Sequence, residues 1–294
     1  MMILTVKTFL NLLPILLSVA FITLMERKIL GLTMMRLSPQ KISMAGILQP
    51  MSDAVKLSNK ESNIMTNSSM ILFSMISTMF LTSSLIIWNT NMTNPQVLSI
   101  KNNILFIITV LSLNSSMIIY MGWSSYSKYS LMGAIRCAAQ TISYEAVLMM
   151  ILVTFIWSMK SFSSQMSQTC KTNIMLILPL GLMMWLPTSL AEMNRTPYDF
   201  SESESELVSG FNTEFGSKEF SMIFIAEYSN IIFMMMISSY IFTSMNSMFL
   251  FMMTWVLWIR STLPRLRFDK LMMMAWKSLI PLSTMFLILT IIMI

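Results

Sequence analysis

The 294-residue chain has no histidine. That absence removes haem held by imidazole, zinc sites built on His, and proton shuttling by imidazole. Cysteine is nearly missing too. Cys137 and Cys170 stand far apart without a CxxC, so the four thiolates that an iron–sulfur cluster usually takes are not there. Charge is scarce: 11% of residues are Asp, Glu, Lys or Arg, against about a quarter in a soluble domain. Any electron carrier this chain works with must be held by a partner or diffuse in as a small molecule.

What is present is apolar. Hydrophobic residues make up 55% of the chain and its mean hydropathy is +0.69. Many runs reach about 20 residues, the length a helix needs to cross a bilayer core of roughly 30 Å. Lipid satisfies no backbone groups, so such runs must be helices or closed barrels. These runs are continuous rather than alternating, which selects helices. The expected fold is all-α: a polytopic membrane protein, one transmembrane domain over 1–294, with eight helices, some tilted or kinked. They are Ile3–Met25, Ser68–Trp88, Ile104–Met121, Ser143–Trp157, Asn173–Leu190, Phe220–Phe242, Ser244–Trp258 and Leu271–Ile294. Pro14, Pro179, Pro187 and Pro281 fall in or near them and predict kinks. The first segment lacks a strong basic region and a small-residue cleavage site, so it reads as a retained helix. The 36 methionines exceed what gap filling needs. Such a bias occurs in chains made inside animal mitochondria, and Met also stands in for Leu on lipid-facing helices.

An even number of helices puts both termini on one side and the long loops, about 26–67, 122–144, 191–219 and 259–270, on the other. Those loops and their flanks hold 15 of the 19 Lys and Arg; Lys7, Lys101, Lys160 and Lys171 lie opposite. The positive-inside rule then turns the long loops to the cytoplasm, or to the matrix in a mitochondrion. All 13 acids fall on that same side. Acids contribute little to topology, so this placement points to function.

Six of the acids crowd into "AEMNRTPYDFSESESELVSGFNTEF", residues 191–215: Glu192, Asp199, Glu202, Glu204, Glu206 and Glu214. Like charges this close disfavour one another's ionised form where water is scarce, and carboxylates that hold and release protons suit a proton relay. A solvated acidic loop is the plain alternative. Glu227, about seven residues into the apolar run "FSMIFIAEYSNIIFMMM", shifts the balance, because an unpaired acid at that depth costs roughly 2.5 kcal/mol or more. Glu145 stands at the expected start of the fourth helix, where the helix dipole would accommodate it. Glu192 ends the fifth, a poor position by the same argument, and points to Arg195 as a partner. Together these acids read as a chain leading from the charged face into the bilayer.

Two further stretches carry charge beside apolar residues. In "ERKILGLTMMRLSPQKISMAGILQPMSDAVKLSNKE" (26–61), "AGILQPMSDAVKL" reads as an amphipathic interfacial helix around Asp53. Such a helix suits admission of a lipid-like molecule, and a basic loop on anionic headgroups is the alternative. "WIRSTLPRLRFDKLM" (258–272) adds Arg260, Arg265, Arg267 and Asp269, suited to buried ion pairs or to hydrogen bonds with a quinone carbonyl, while juxtamembrane topology alone explains some of the charge.

These two stretches, "GWSSYSKYSLMGAIRCAAQTISYE" (122–145), and 191–215 with "AEY" (226–228) resemble the NADH–ubiquinone oxidoreductase chain 1 family, the core membrane subunit of respiratory complex I. The resemblance implies a mitochondrial inner-membrane subunit with matrix-side loops and a quinone tunnel opening toward a peripheral-arm partner. Ubiquinone would be its substrate. NADH would deliver electrons through FMN and iron–sulfur clusters in partner subunits, with no flavin, haem or cluster in this chain. The implied partners are peripheral-arm and membrane-arm subunits and lipids, with no nucleic acid. The implied quinone-channel and junction residues are Glu26, Arg27, Arg36, Asp53, Arg195, Arg265, Arg267 and Asp269. The implied proton-coupling path is Glu145, Glu192, Asp199, Glu202, Glu204, Glu206, Glu214 and Glu227.

Three positions depart from the family pattern: Met34 stands where Gln is usual, Ser38 where Gly is, and Ser203 where the acidic run has Gly. The sixth-to-seventh connection and the C-terminal tail are also short. Two other classes stand beside this reading. A secondary ion transporter would suit Glu227, but no convincing inverted repeat is visible. A structural anchor would have no need of thirteen one-sided acids.

Overall fold

The computed structural model describes residues 2–61, 70–90, 103–159, 179–200, 209–243 and 247–293. Every regular element among them is helical. In chain order these are α1 (Met2–Thr33), α2 (Gln49–Asn59), α3 (Met70–Ile87), α4 (Asn103–Ser124), α5 (Lys128–Met159), α6 (Pro179–Glu192), α7 (Ser217–Thr243) and α8 (Ser247–Thr262). A last rod joins α9 (Phe268–Met273), a π-helical turn over Met274–Leu279, and α10 (Ile280–Met293). Pro281 has no N–H to bond one turn back, and the widened turn lies directly before it, where a helix absorbs such a mismatch.

Each of the eight expected apolar segments has its helix. Five are long and apolar enough to cross a membrane: Thr8–Thr33, Asn103–Ser124, Lys128–Ser158, Ser217–Phe242 and Phe268–Ile292. Ile71–Ile87 and Met248–Thr262 are shorter, and the fifth expected segment is described from Pro179 onward. The outer faces are oily, as lipid requires: Phe9, Leu13, Leu17 and Phe21 on α1, Leu250 and Phe251 on α8, and Met285 and Ile292 on α10 are all exposed. The short α2 falls on the stretch read as an amphipathic helix and buries none of its residues.

Helices α5 and α7 form the centre. α5 packs on α4, α6 and α10, and α7 packs on α3, α8 and α1. Phe155 of α5, Trp185 of α6 and Phe242 of α7 meet edge to face, with centroids 5.2–6.5 Å apart. Such pairs add about 0.5–1.5 kcal/mol each beyond area burial. They join the three helices toward the C-terminal ends of α5 and α7, leaving the other end for polar chemistry.

Several boundaries differ from the sequence reading. Helix α1 continues to Thr33, eight residues past its expected end at Met25 and into the expected loop. The loop expected over 122–144 is helical from Lys128 onward. At 1.5 Å per residue, the 32 residues of α5 run about 48 Å, well beyond a bilayer core. The polar residues that lowered the hydropathy there are bonded locally: Ser125, Ser127 and Ser130 bond one another, and Thr141 bonds the backbone one turn back. Two glycines permit this packing. A Cβ on Gly122 would meet Ala134 Cβ at 2.2 Å, and one on Gly133 would meet the Gly210 backbone at 2.9 Å. Helix α7 likewise starts at Ser217, three residues before its expected start.

Candidate functional site

Three of the long loops converge on one buried carboxylate. Glu26, near the end of α1, is 5% exposed. Tyr228 Oη of α7 donates to its Oε2 at 2.5 Å, Arg260 of α8 pairs with Oε1, and Arg195 Nη1 lies 3.9 Å from the same oxygen. The Arg195 guanidinium sits over the Tyr228 ring, 4.4 Å from its centroid. Two guanidiniums and a phenol thus surround one buried acid, so that its charge is paired and each donor is held in place.

Arg195 also lines a second space. A cavity between α3, α4, the end of α6 and α7 is walled by Phe80, Leu111, Asn114, Thr141, Glu192, Asn194, Arg195, Glu227 and Asn230. It offers about 50 Å³ to the centres of water molecules. Glu192 faces it but does not pair with Arg195 as the sequence reading expected; its Oε2 is buried with no hydrogen-bond partner among the described residues. Glu192 and Glu145 are close enough for their negative charges to oppose one another. Glu145 is half-buried in the middle of α5, some 17 residues from the start at Lys128. The first-turn dipole account of it therefore does not apply. Glu227 lies ten residues into α7, about 15 Å along the axis, and lines both this cavity and a second space of about 200 Å³ beside Tyr228 and Arg260.

The turn after α6 that carries Glu192 and Arg195 is fastened to its neighbours. Gln140 Nε2 of α5, fully buried, donates to Ala191 O at 3.0 Å and to Tyr198 O at 2.7 Å, bridging both ends of the turn. From the last long loop, Leu266 N donates to Pro197 O at 3.0 Å and Arg265 Nη2 lies 3.3 Å from the buried Asp199. Arg136 covers the Phe200 ring. Burial pushes the Tyr198 phenol up from its ordinary value.

A third feature is open. Arg27, Leu30, Gly31, Arg36 and residues 37–42, with Gln49, border a cleft of about 830 Å³, within the range of small-molecule sites. Arg27 Nη1 pairs with Asp53 Oδ2 of α2 at 2.8 Å, and Gln49 Nε2 bonds the same carboxylate at 3.1 Å. Ser38, where the family pattern has Gly, is not among the residues with positive φ, so its backbone needs no glycine.

The structure therefore gathers Glu26 and Arg195, places Arg27 and Arg36 on the cleft with Asp53 paired to Arg27, and pairs Arg265 with Asp199. Arg267 and Asp269 pair at 3.0 Å on the exposed surface, away from the cavities. Glu214 is partly buried after a 3₁₀ turn at Gly210–Asn212 and lines none of the cavities above. Glu202, Glu204, Glu206 and Ser203 lie outside the described residues. The sequence reading did not pick out Tyr228, Gln140, Asn114, Asn194 or Asn230 as site residues. The signal was there in Asn114 and Asn230, polar residues inside apolar runs. Among the described residues no three His, Cys, Asp or Glu side chains come together as metal ligands would.

An all-helical, oily-surfaced bundle with buried carboxylates and ion pairs gathered at one end is a polytopic membrane protein built around a buried polar site. A profile of the family described as NADH dehydrogenase matches residues 6–291, and the chain belongs to that family. It is 42% identical to NADH-ubiquinone oxidoreductase chain 1 of Aedes aegypti over 285 residues, covering 93% of this chain and 90% of the relative. The same-named protein of Anopheles quadrimaculatus is 43% identical with the same coverage, and that of Phascolarctos cinereus is 40% identical over 96% of this chain and 94% of the relative.

Proposed function

We propose that the chain is the core membrane subunit of a respiratory NADH–ubiquinone oxidoreductase, complex I, in the mitochondrial inner membrane with its long loops toward the matrix. The family membership supports the assignment, and one observation carries its mechanism. Arg195 borders both the Glu26 cluster and the cavity that holds Glu192 and Glu227. In this reading ubiquinone enters by the cleft beside Arg27, Arg36 and Asp53, and electrons reach it from NADH through FMN and iron–sulfur clusters in partner subunits. Reduction to quinol consumes two electrons and two protons, and side chains at the cleft that give up those protons are left more negative by one charge each until they are reprotonated. Arg195, shared between Glu26 and the acid cavity, passes that change to Glu192 and Glu227. Half-buried Glu145 is where the path reaches the outer face of the chain, toward a neighbouring membrane-arm subunit. The chain contributes channel and path but no electron carrier.

Native size tests the assignment. Membranes are solubilised in mild detergent, run on a native gel and stained for NADH dehydrogenase activity. The expected result is that the chain migrates in a very large, stained assembly. Migration alone or as a small unstained oligomer would overturn the assignment and move the ion-transporter reading ahead.

A further inference from the structure

We propose that Asn114 is a positioning residue for proton transfer between Glu192 and Glu227, holding the water that carries the proton across their shared cavity. The proposal rests on the function assigned above. Asn114 stands inside the apolar run of α4 and is 6% exposed. One end of its amide is held by Ser83 Oγ of α3 at 2.6 Å. The other end is buried without a hydrogen-bond partner among the described residues. Three more buried polar atoms on the same cavity share that condition: Glu192 Oε2, Asn194 Oδ1 and Asn230 Oδ1. They come from α4, the end of α6, the turn after it and α7.

Leaving a buried amide unpaired costs free energy, and four such atoms around one cavity point to a ligand that both donates and accepts. The space of about 50 Å³ holds on the order of four waters at roughly 10–15 Å³ each, and buried water is held by two to four polar partners. Water there is the occupant that fits the size and the polarity. The transfer balances. The Glu192 carboxylic acid gives its proton to a water oxygen, and a proton of that water chain passes to the Glu227 carboxylate. One O–H bond breaks at Glu192, one forms at Glu227, and the water is returned. The amide exchanges no proton in this step; it orients the water.

The test uses membranes containing the assembled complex with Asn114→Leu or Asn114→Ser. Asn114→Leu is expected to lower kcat for ubiquinone reduction about tenfold, below the 10²–10⁴ typical of losing a proton-transfer group outright. The quinone KM should stay unchanged and the solvent deuterium isotope effect should rise. Asn114→Ser, polar and small enough to leave room for water, should stay within about twofold of wild type on the same scale. A merely structural role predicts otherwise: Leu removes an unpaired buried amide, so the complex would assemble well and keep its rate and isotope effect. That result would overturn the proposal. If Asn114→Leu does not assemble, the isosteric pair Asn114→Thr and Asn114→Val repeats the contrast, with Thr active and Val impaired. Glu192→Gln in the same membranes separates the two levels. A fully active Glu192→Gln overturns the function reading itself. An impaired Glu192→Gln beside a normal Asn114→Leu overturns the role of Asn114 alone.

Discussion

Glu26 is the residue on which the charged end of the bundle closes. It lies at the end of an apolar run, and Arg195, Tyr228 and Arg260 reach it from three other parts of the chain. Removing one partner of a buried ion pair typically costs 3–5 kcal/mol, because the remaining charge stays buried. Arg260→Leu is therefore expected to lower the yield of assembled complex and its thermal inactivation temperature. Arg267→Leu breaks an ion pair that is 62–78% exposed, worth about 0–1 kcal/mol, and should leave both unchanged. Similar losses in the two would contradict this division. At this scale the charged residues were legible, because a charge in so oily a chain draws notice. Their pairings were not. Glu192 was expected to take Arg195, but Arg195 lies beside Glu26, and Tyr228 joins the cluster from 202 residues along the chain. Asn114 in an apolar run says that something must satisfy an amide, and only packing says what.

Among the elements, α5 was the hardest to read. Its last half was plain from hydropathy, while its first half, rich in Ser, Thr, Gln and Gly, read as a loop. Those residues mark a helix that packs closely against protein. Gly133 is the test of that packing, since a Cβ there meets the Gly210 backbone at 2.9 Å while one on Gly216 meets nothing within 4 Å. Gly133→Ala should destabilise by about 1–3 kcal/mol, as overpacking does; Gly216→Ala should stay within about 0.5 kcal/mol. Thermal inactivation of the assembled complex reads both. Gln140→Leu removes two hydrogen bonds from the turn that carries Glu192 and Arg195, each worth about 0.5–1.5 kcal/mol. It should lower kcat more than it lowers assembly, because both carbonyls keep a backbone donor, Asn194 N for Ala191 and Phe200 N for Tyr198. Equal losses would make Gln140 a stability residue only. The helices themselves were readable from length and polarity alone, since lipid allows the backbone few other choices; five of those described are long and apolar enough to cross a membrane.

Over the whole molecule, the asymmetry of charge is what sequence and structure share. Glu26, Glu192, Asp199 and Glu227 meet at one end of the bundle through Arg195, Arg260 and Arg265, and aromatic packing among α5, α6 and α7 holds the other. That end was legible as a charged face, but its continuity was not, because it depends on Arg195 touching two spaces at once. The central claim is that this end works and the opposite one does not. The direct test compares Glu192→Gln with Lys101→Gln, the latter outside the described residues, for NADH-driven ubiquinone reduction and proton translocation in the same membranes. A neutral amide in place of Glu192 should cost on the order of tenfold or more in both, as loss of a proton-transfer group does, while Lys101→Gln should leave both at the wild-type level. Equal effects from the two substitutions, or full activity in Glu192→Gln, would contradict the account.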